Sequence, residues 1–79
     1  MRLRTKVLYV NPDGIKTFTI CILKTTPFVG DSFFLENLCS IGEVDKVCLV
    51  PCGTRYDMIV SLVNVRKTTE NNIFWEDLK

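Results

Sequence analysis

Apolar-rich stretches alternate along the chain with short polar clusters, and each cluster holds one of the four glycines: Asn11-Pro12-Asp13-Gly14, Pro27-Phe28-Val29-Gly30-Asp31, Ser40-Ile41-Gly42-Glu43 and Pro51-Cys52-Gly53-Thr54. The stretches between them are rich in Val, Ile, Phe and Thr, whose branched or flat side chains fit a pleated surface. Glycines 11 to 16 residues apart suit a run of consecutive antiparallel strands. The pattern predicts strands near residues 3–10, 15–24, 32–37, 43–50 and 56–66, with chain reversals at the four glycine-bearing clusters. The expected fold class is all-β, a small antiparallel barrel or rolled sheet of five to six strands.

The first turn is the sharpest local signal. Pro12 presets φ for the first corner of a type I turn, Asp13 suits the second, and Gly14 supplies the positive φ of a bulge that closes a three-residue hairpin loop. With Asn11 opposite Ile15, the register pairs Leu8 with Phe18, Lys6 with Ile20 and Arg4 with Ile22 on one face. Val7 then meets Thr19, and Leu3 meets Leu23, on the other. Both faces are partly apolar. The same holds for Met58–Val65, where Met58, Val60 and Leu62 point one way and Ile59, Val63 and Val65 the other. A sheet with one wet face would alternate cleanly, so either a curled strand is sheltered on both sides or the outer face meets another chain. The expected core is Leu8, Phe18, Ile20, Ile22, Phe33, Leu35, Val47, Leu49, Val60 and Leu62.

Residues 67–72 form a polar connector, and residues 73–79 an apolar anchor, Ile73-Phe74-Trp75-Glu76-Asp77-Leu78-Lys79. The anchor reads equally as a short C-terminal helical turn or a sixth strand. Trp75 and Phe74 either cap the open end of the core or dock on a neighbour, since exposed Trp and Phe make strong interface anchors.

Length and composition narrow the class. Seventy-nine residues form one domain that buries only about 60% of its unfolded surface, so stability is marginal. With 47% hydrophobic and 24% charged residues, the chain reads as an ordinary globular protein, not a disordered or membrane one. Its amino terminus leaves no room for a secretory apolar region, which places the expected compartment in the cytoplasm. Cys21, Cys39, Cys48 and Cys52 contain no C-x-x-C pair, and the chain has no histidine, so free thiols are expected and neither a metal nor a cofactor is. The missing histidine also removes the usual base for a nucleophile, and no phosphate-binding loop or nucleophile elbow occurs, so no enzyme is expected. A marginal signal is Cys52-Gly53-Thr54-Arg55, where a guanidinium lies near a turn thiol.

Charge is more informative. Net charge is +1, but residues 1–24 carry five cations against one acid, net +4, and residues 25–79 carry five against eight, net −3. Arg2, Arg4 and Lys6 alternate along one strand, and Lys16 and Lys24 fall on the same face of its partner, which makes a basic stripe. With Tyr9, Phe18, Phe33, Phe34 and Tyr56 available for stacking, a nucleic-acid-binding small barrel is one reading.

The run Phe28–Leu35, followed by Gly42-Glu43-Val44-Asp45-Lys46-Val47 and the long strand 56–66, resembles the strand–turn–strand rhythm of SH3-like small β-barrels. The likeness covers residues 27–66 and concerns the fold. The sequence lacks the clustered acidic and aromatic ligand-groove signature of true SH3 domains, so recognition of proline-rich peptides is not implied. Together these features rank a non-enzymatic protein-binding module first, a small accessory or inhibitory protein of a bacterium or phage, with another protein as partner. Candidate partner-binding residues are Arg2, Arg4, Lys6, Lys16, Lys24, Phe74 and Trp75. Nucleic-acid binding and a small-ligand-binding oligomer follow, and incomplete closure of so short a sheet favours homo-oligomers.

Overall fold

The computed structural model describes residues 2–68. Five strands, β1 (Leu3–Val10), β2 (Lys16–Leu23), β3 (Ser32–Leu35), β4 (Ser40–Leu49) and β5 (Met58–Lys67), form one sheet in the order β2-β1-β5-β4-β3. The sheet curls into a half-barrel, and the sole helical element among the described residues is a 3₁₀ turn at Glu36–Leu38. The proposed C-terminal turn or strand, and Phe74 and Trp75, lie outside the described residues.

The β1–β2 hairpin forms in the register that the turn chemistry dictates. Gly14 N–H donates to Asn11 C=O (2.9 Å), and the Asn11 side-chain oxygen accepts from Asp13 and Ile15 N–H (3.0 Å each), with Gly14 at φ 85°. Leu8 faces Phe18, Lys6 faces Ile20 and Arg4 faces Ile22.

Strand connectivity departs from a simple meander. Residues 24–31 carry the chain from one edge of the sheet to the other, so β3 pairs with β4 and not with β2. β5 then enters the middle and runs parallel to β1, pairing Thr5 with Met58, Val7 with Val60 and Leu8 with Ser61. Asp57 starts this ladder: its N–H donates to Arg4 C=O (2.8 Å), and its carboxylate accepts from Arg4 N–H (2.9 Å). The remaining ladders are antiparallel.

One expected turn is not a turn. Gly42 lies buried inside β4, where a Cβ would approach the Val65 side chain to 2.8 Å, so glycine here serves close packing of two strands. The reversal before β4 falls instead at Glu36–Cys39, with Cys39 in the left-handed region at φ 48°.

The β4–β5 ladder shifts register twice, between Ile41 and Glu43 and between Val44 and Lys46. The first shift places an extra residue in β5 at Asn64, whose φ of 55° suits a bulge; the second places Asp45 as an extra residue in β4. Each bulge reverses the side-chain phase. Met58, Val60 and Leu62 face inward as alternation requires, and after the bulge Val65 joins them, packed against the core, while Val63 is turned outward.

The core is Val7, Tyr9, Leu35, Val44, Met58, Val60 and Leu62, with Leu3, Cys21, Leu23, Phe33, Val47 and Val65 packed against it. Of the expected core, Phe33, Leu35, Val47, Val60 and Leu62 belong to it. Leu8, Phe18, Ile20, Ile22 and Leu49 are exposed. The hairpin register is as expected but the opposite face of β1 is buried: Thr5, Val7 and Tyr9 point in, which sends Arg4, Lys6, Leu8 and Val10 out. The buried Thr5 hydroxyl donates to Leu3 C=O (3.0 Å) and so has a partner.

This assignment of faces is testable by stability. Met58→Ala should cost about 2–5 kcal/mol, whereas Ile22→Ala should stay within about 0.5 kcal/mol, both read from denaturant midpoints. Equal losses would contradict the burial pattern.

Candidate functional site

The outer face of β1 and β2 carries Leu8, Val10, Phe18, Ile20 and Ile22, each between 38% and 52% exposed, and Ile15 at the hairpin is 60% exposed. Leu8, Val10, Phe18, Ile20 and Ile22 are neighbours along and across the ladder, so their exposure is one continuous surface rather than scattered points, while Ile15 lies outside the ladder. Patches of this kind mark interaction sites.

Cations border the apolar surface. Arg4, Lys6 and Lys16 fall on the same face, opposite Ile22, Ile20 and Val10 respectively. Neither β1 nor β2 contains an acidic residue. The Lys6 ammonium lies 4.5 Å from the centroid of the Phe18 ring and 5.5 Å from that of Tyr56. Such contacts contribute roughly 0.5–1 kcal/mol at exposed positions and hold the aliphatic stem against the sheet. Arg2 precedes β1 and Lys24 follows β2, both exposed. The basic stripe thus divides, with Arg2, Arg4, Lys6 and Lys24 towards the end away from the hairpin turn and Lys16 beside the turn.

Sequence reasoning offered Tyr56 as a stacking aromatic but did not place Arg55 here. The loop joining β4 to β5 brings them to the outer face, where Arg4, Ile20, Thr54, Arg55 and Tyr56 line an open hollow of about 440 Å³. No local pattern announces this, because it follows from β5 lying beside β1. Gly53 allows the tight loop: a Cβ there would collide with the Tyr56 carbonyl oxygen.

A second feature lies between the two edges of the half-barrel. Thr19, Cys21 and Leu23 of β2 face Phe33, Leu35 and Leu38, with Glu36 and Asn37 beside them, across a cleft of about 250 Å³. This is smaller than the roughly 300–1,000 Å³ typical of small-molecule sites. A third hollow, about 260 Å³, lies beside Leu8, Val10, Lys16 and Leu62.

The cysteines do not converge. All four are free thiols; Cys39, Cys48 and Cys52 are exposed and Cys21 is half-buried. Cys52 occupies the loop turn at φ 62°. Among the described residues no group of three or more Cys, Asp or Glu is placed to hold a metal ion. Nor is any helix among them long and apolar enough to cross a membrane. Comparison with known protein families, curated proteins and solved structures finds no match to this chain.

Burial removes water from Cys21 and pushes its thiol above the ordinary 9.0. The folded chain therefore retains this proton where an unfolded chain loses it, so the stability tied to Cys21 is complete below pH 9 and declines as pH rises beyond it. Alkylation with a small reagent at neutral pH should label Cys39, Cys48 and Cys52 first and Cys21 last, with mass spectrometry of digests as the readout. Rapid labelling of Cys21 would contradict its position on the cleft wall.

Proposed function

We propose that this chain is a non-enzymatic protein-binding module that acts through the outer face of β1 and β2. The observation that carries the reading is the continuous run of Leu8, Val10, Phe18, Ile20 and Ile22 left uncovered by the chain's own core. In a chain this small, apolar side chains are needed inside, and five on one outer face are a cost that a partner offsets by covering them. Arg4, Lys6 and Lys16 supply orientation and steer an acidic partner towards the surface.

Binding of single-stranded nucleic acid is the second reading, favoured by the Lys6 ammonium set between the Phe18 and Tyr56 rings. It is ranked lower because most of the exposed surface is aliphatic, which stacks poorly on bases.

Immobilised full chain, compared with Phe18→Ser and Ile22→Ser, separates these readings. Wild type should retain a stoichiometric protein from lysate of its own cells, each variant should retain at least tenfold less, and both variants should remain folded by circular dichroism. If wild type retains nothing, or the variants retain as much, the proposal fails. Capture of nucleic acid with affinity falling steeply with salt would put the second reading in its place.

A further inference from the structure

Among the described residues β2 is an open edge strand of eight residues, while β3, the other edge, has four. Edges in natural sheets are shortened, bulged or charged to prevent pairing with other chains. β3 is short and runs directly into the 3₁₀ turn. β2 has neither a bulge in its ladder nor a charge between Lys16 and Lys24.

The hairpin fixes which backbone groups of β2 are spare. Asn11 N–H donates to Ile15 C=O (3.0 Å), and this hydrogen-bonded pair sets the alternation along the ladder. Thr17, Thr19, Cys21 and Leu23 therefore bond to β1, and the N–H and C=O groups of Phe18, Ile20 and Ile22 point to the open side. Arg4 agrees with this phase, since its backbone N–H and C=O are both engaged by Asp57 on the β5 side.

A strand laid against this edge would meet two environments. On the concave side it would face the cleft of about 250 Å³, where Cys21, Leu23, Phe33, Leu35 and Leu38 suit aliphatic side chains and Glu36 and Asn37 supply a polar part of the wall that disfavours a second carboxylate. On the convex side it would lie beside Ile20 and Ile22, within side-chain reach of the hollow that holds Arg4 and Arg55. That environment suits carboxylates. A second copy of this chain fits poorly, because a two-fold pairing sets like against like and neither β1 nor β2 offers a carboxylate to the other copy's cations.

We propose that the open edge of β2 accepts an extended segment of a partner protein as an added strand, with alternating aliphatic and acidic residues. The aliphatic side chains fill the cleft between β2 and β3, and the acidic ones meet Arg4, Lys6 and Arg55 on the outer face. This inference rests on the binding-module reading and specifies how the partner is held.

The test uses the full 79-residue chain and two blocked eight-residue probe peptides, one of alternating Val and Glu, the other of alternating Val and Lys. The Val/Glu peptide should slow amide exchange at Phe18, Ile20 and Ile22 at least tenfold and leave Thr17, Thr19 and Cys21 unchanged. The Val/Lys peptide should bind at least tenfold more weakly. Ile20→Pro removes only a spare N–H, as edge positions tolerate, and should weaken binding at least tenfold. If that variant does not fold, Arg4→Glu with Arg55→Glu carries the test: the preference for the acidic peptide should vanish.

Four results would overturn the proposal. Equal binding of both peptides, or binding that leaves the three amides unprotected, excludes the edge mode. Protection already present in the free chain would mean that the edge is occupied, by a second copy if it depends on concentration and by this chain's own C-terminal residues if it does not. If lysate capture is lost in Phe18→Ser yet persists in Ile20→Pro, the binding-module reading stands and only the edge strand falls.

Discussion

The parallel pairing of β1 with β5 decides which way the rest of the sheet faces. Thr5 and Val7 align with Met58 and Val60, and all four are fully buried. Because side chains alternate, burying one face of β1 commits the other to solvent along its whole length. The hairpin register then transmits that commitment to β2. Leu8, Phe18, Ile20 and Ile22 are exposed because Val7 and Thr5 are needed inside, and not because any of them is polar. The interaction surface is thus a consequence of how the core closes.

Curling depends on the two bulges at Asn64 and Asp45 and on the missing side chain at Gly42. Bulges increase local twist and bend the strand that carries them. Here they bring β3 round towards β2 without joining the two edges. What remains, among the described residues, is a half-barrel with a cleft of mixed apolar and polar wall and one long open edge. Asp57 secures the other side of β1, where its backbone and carboxylate together take up both backbone groups of Arg4.

Much of this was legible in the sequence, and the reasons for the exceptions are specific. Asn-Pro-Asp-Gly encodes its own geometry, so the first turn and the whole β1–β2 register could be read directly. Strand positions followed from β-branched runs between turn signals. The buried face was misjudged because β2 alone argues for Phe18, Ile20 and Ile22 as core, whereas the partners of β1 overrule it. Arg4 and Lys6 on that same face were the available warning, since charged residues rarely line a small core. Gly42 read as a corner, since a glycine that admits Val65 and one that makes a turn look alike in one dimension. The parallel entry of β5 leaves no local trace, so Arg55 could not be assigned to the site and Tyr56 entered only as one of several stacking aromatics.

Accessibility of methyl groups to a soluble paramagnetic agent tests the central claim most directly. The methyl signals of Leu8, Ile20 and Ile22 should broaden strongly, and those of Val7, Val44 and Val60 should be spared. The opposite pattern would mean that the other face of β1 is buried, and the interaction surface described above would not exist.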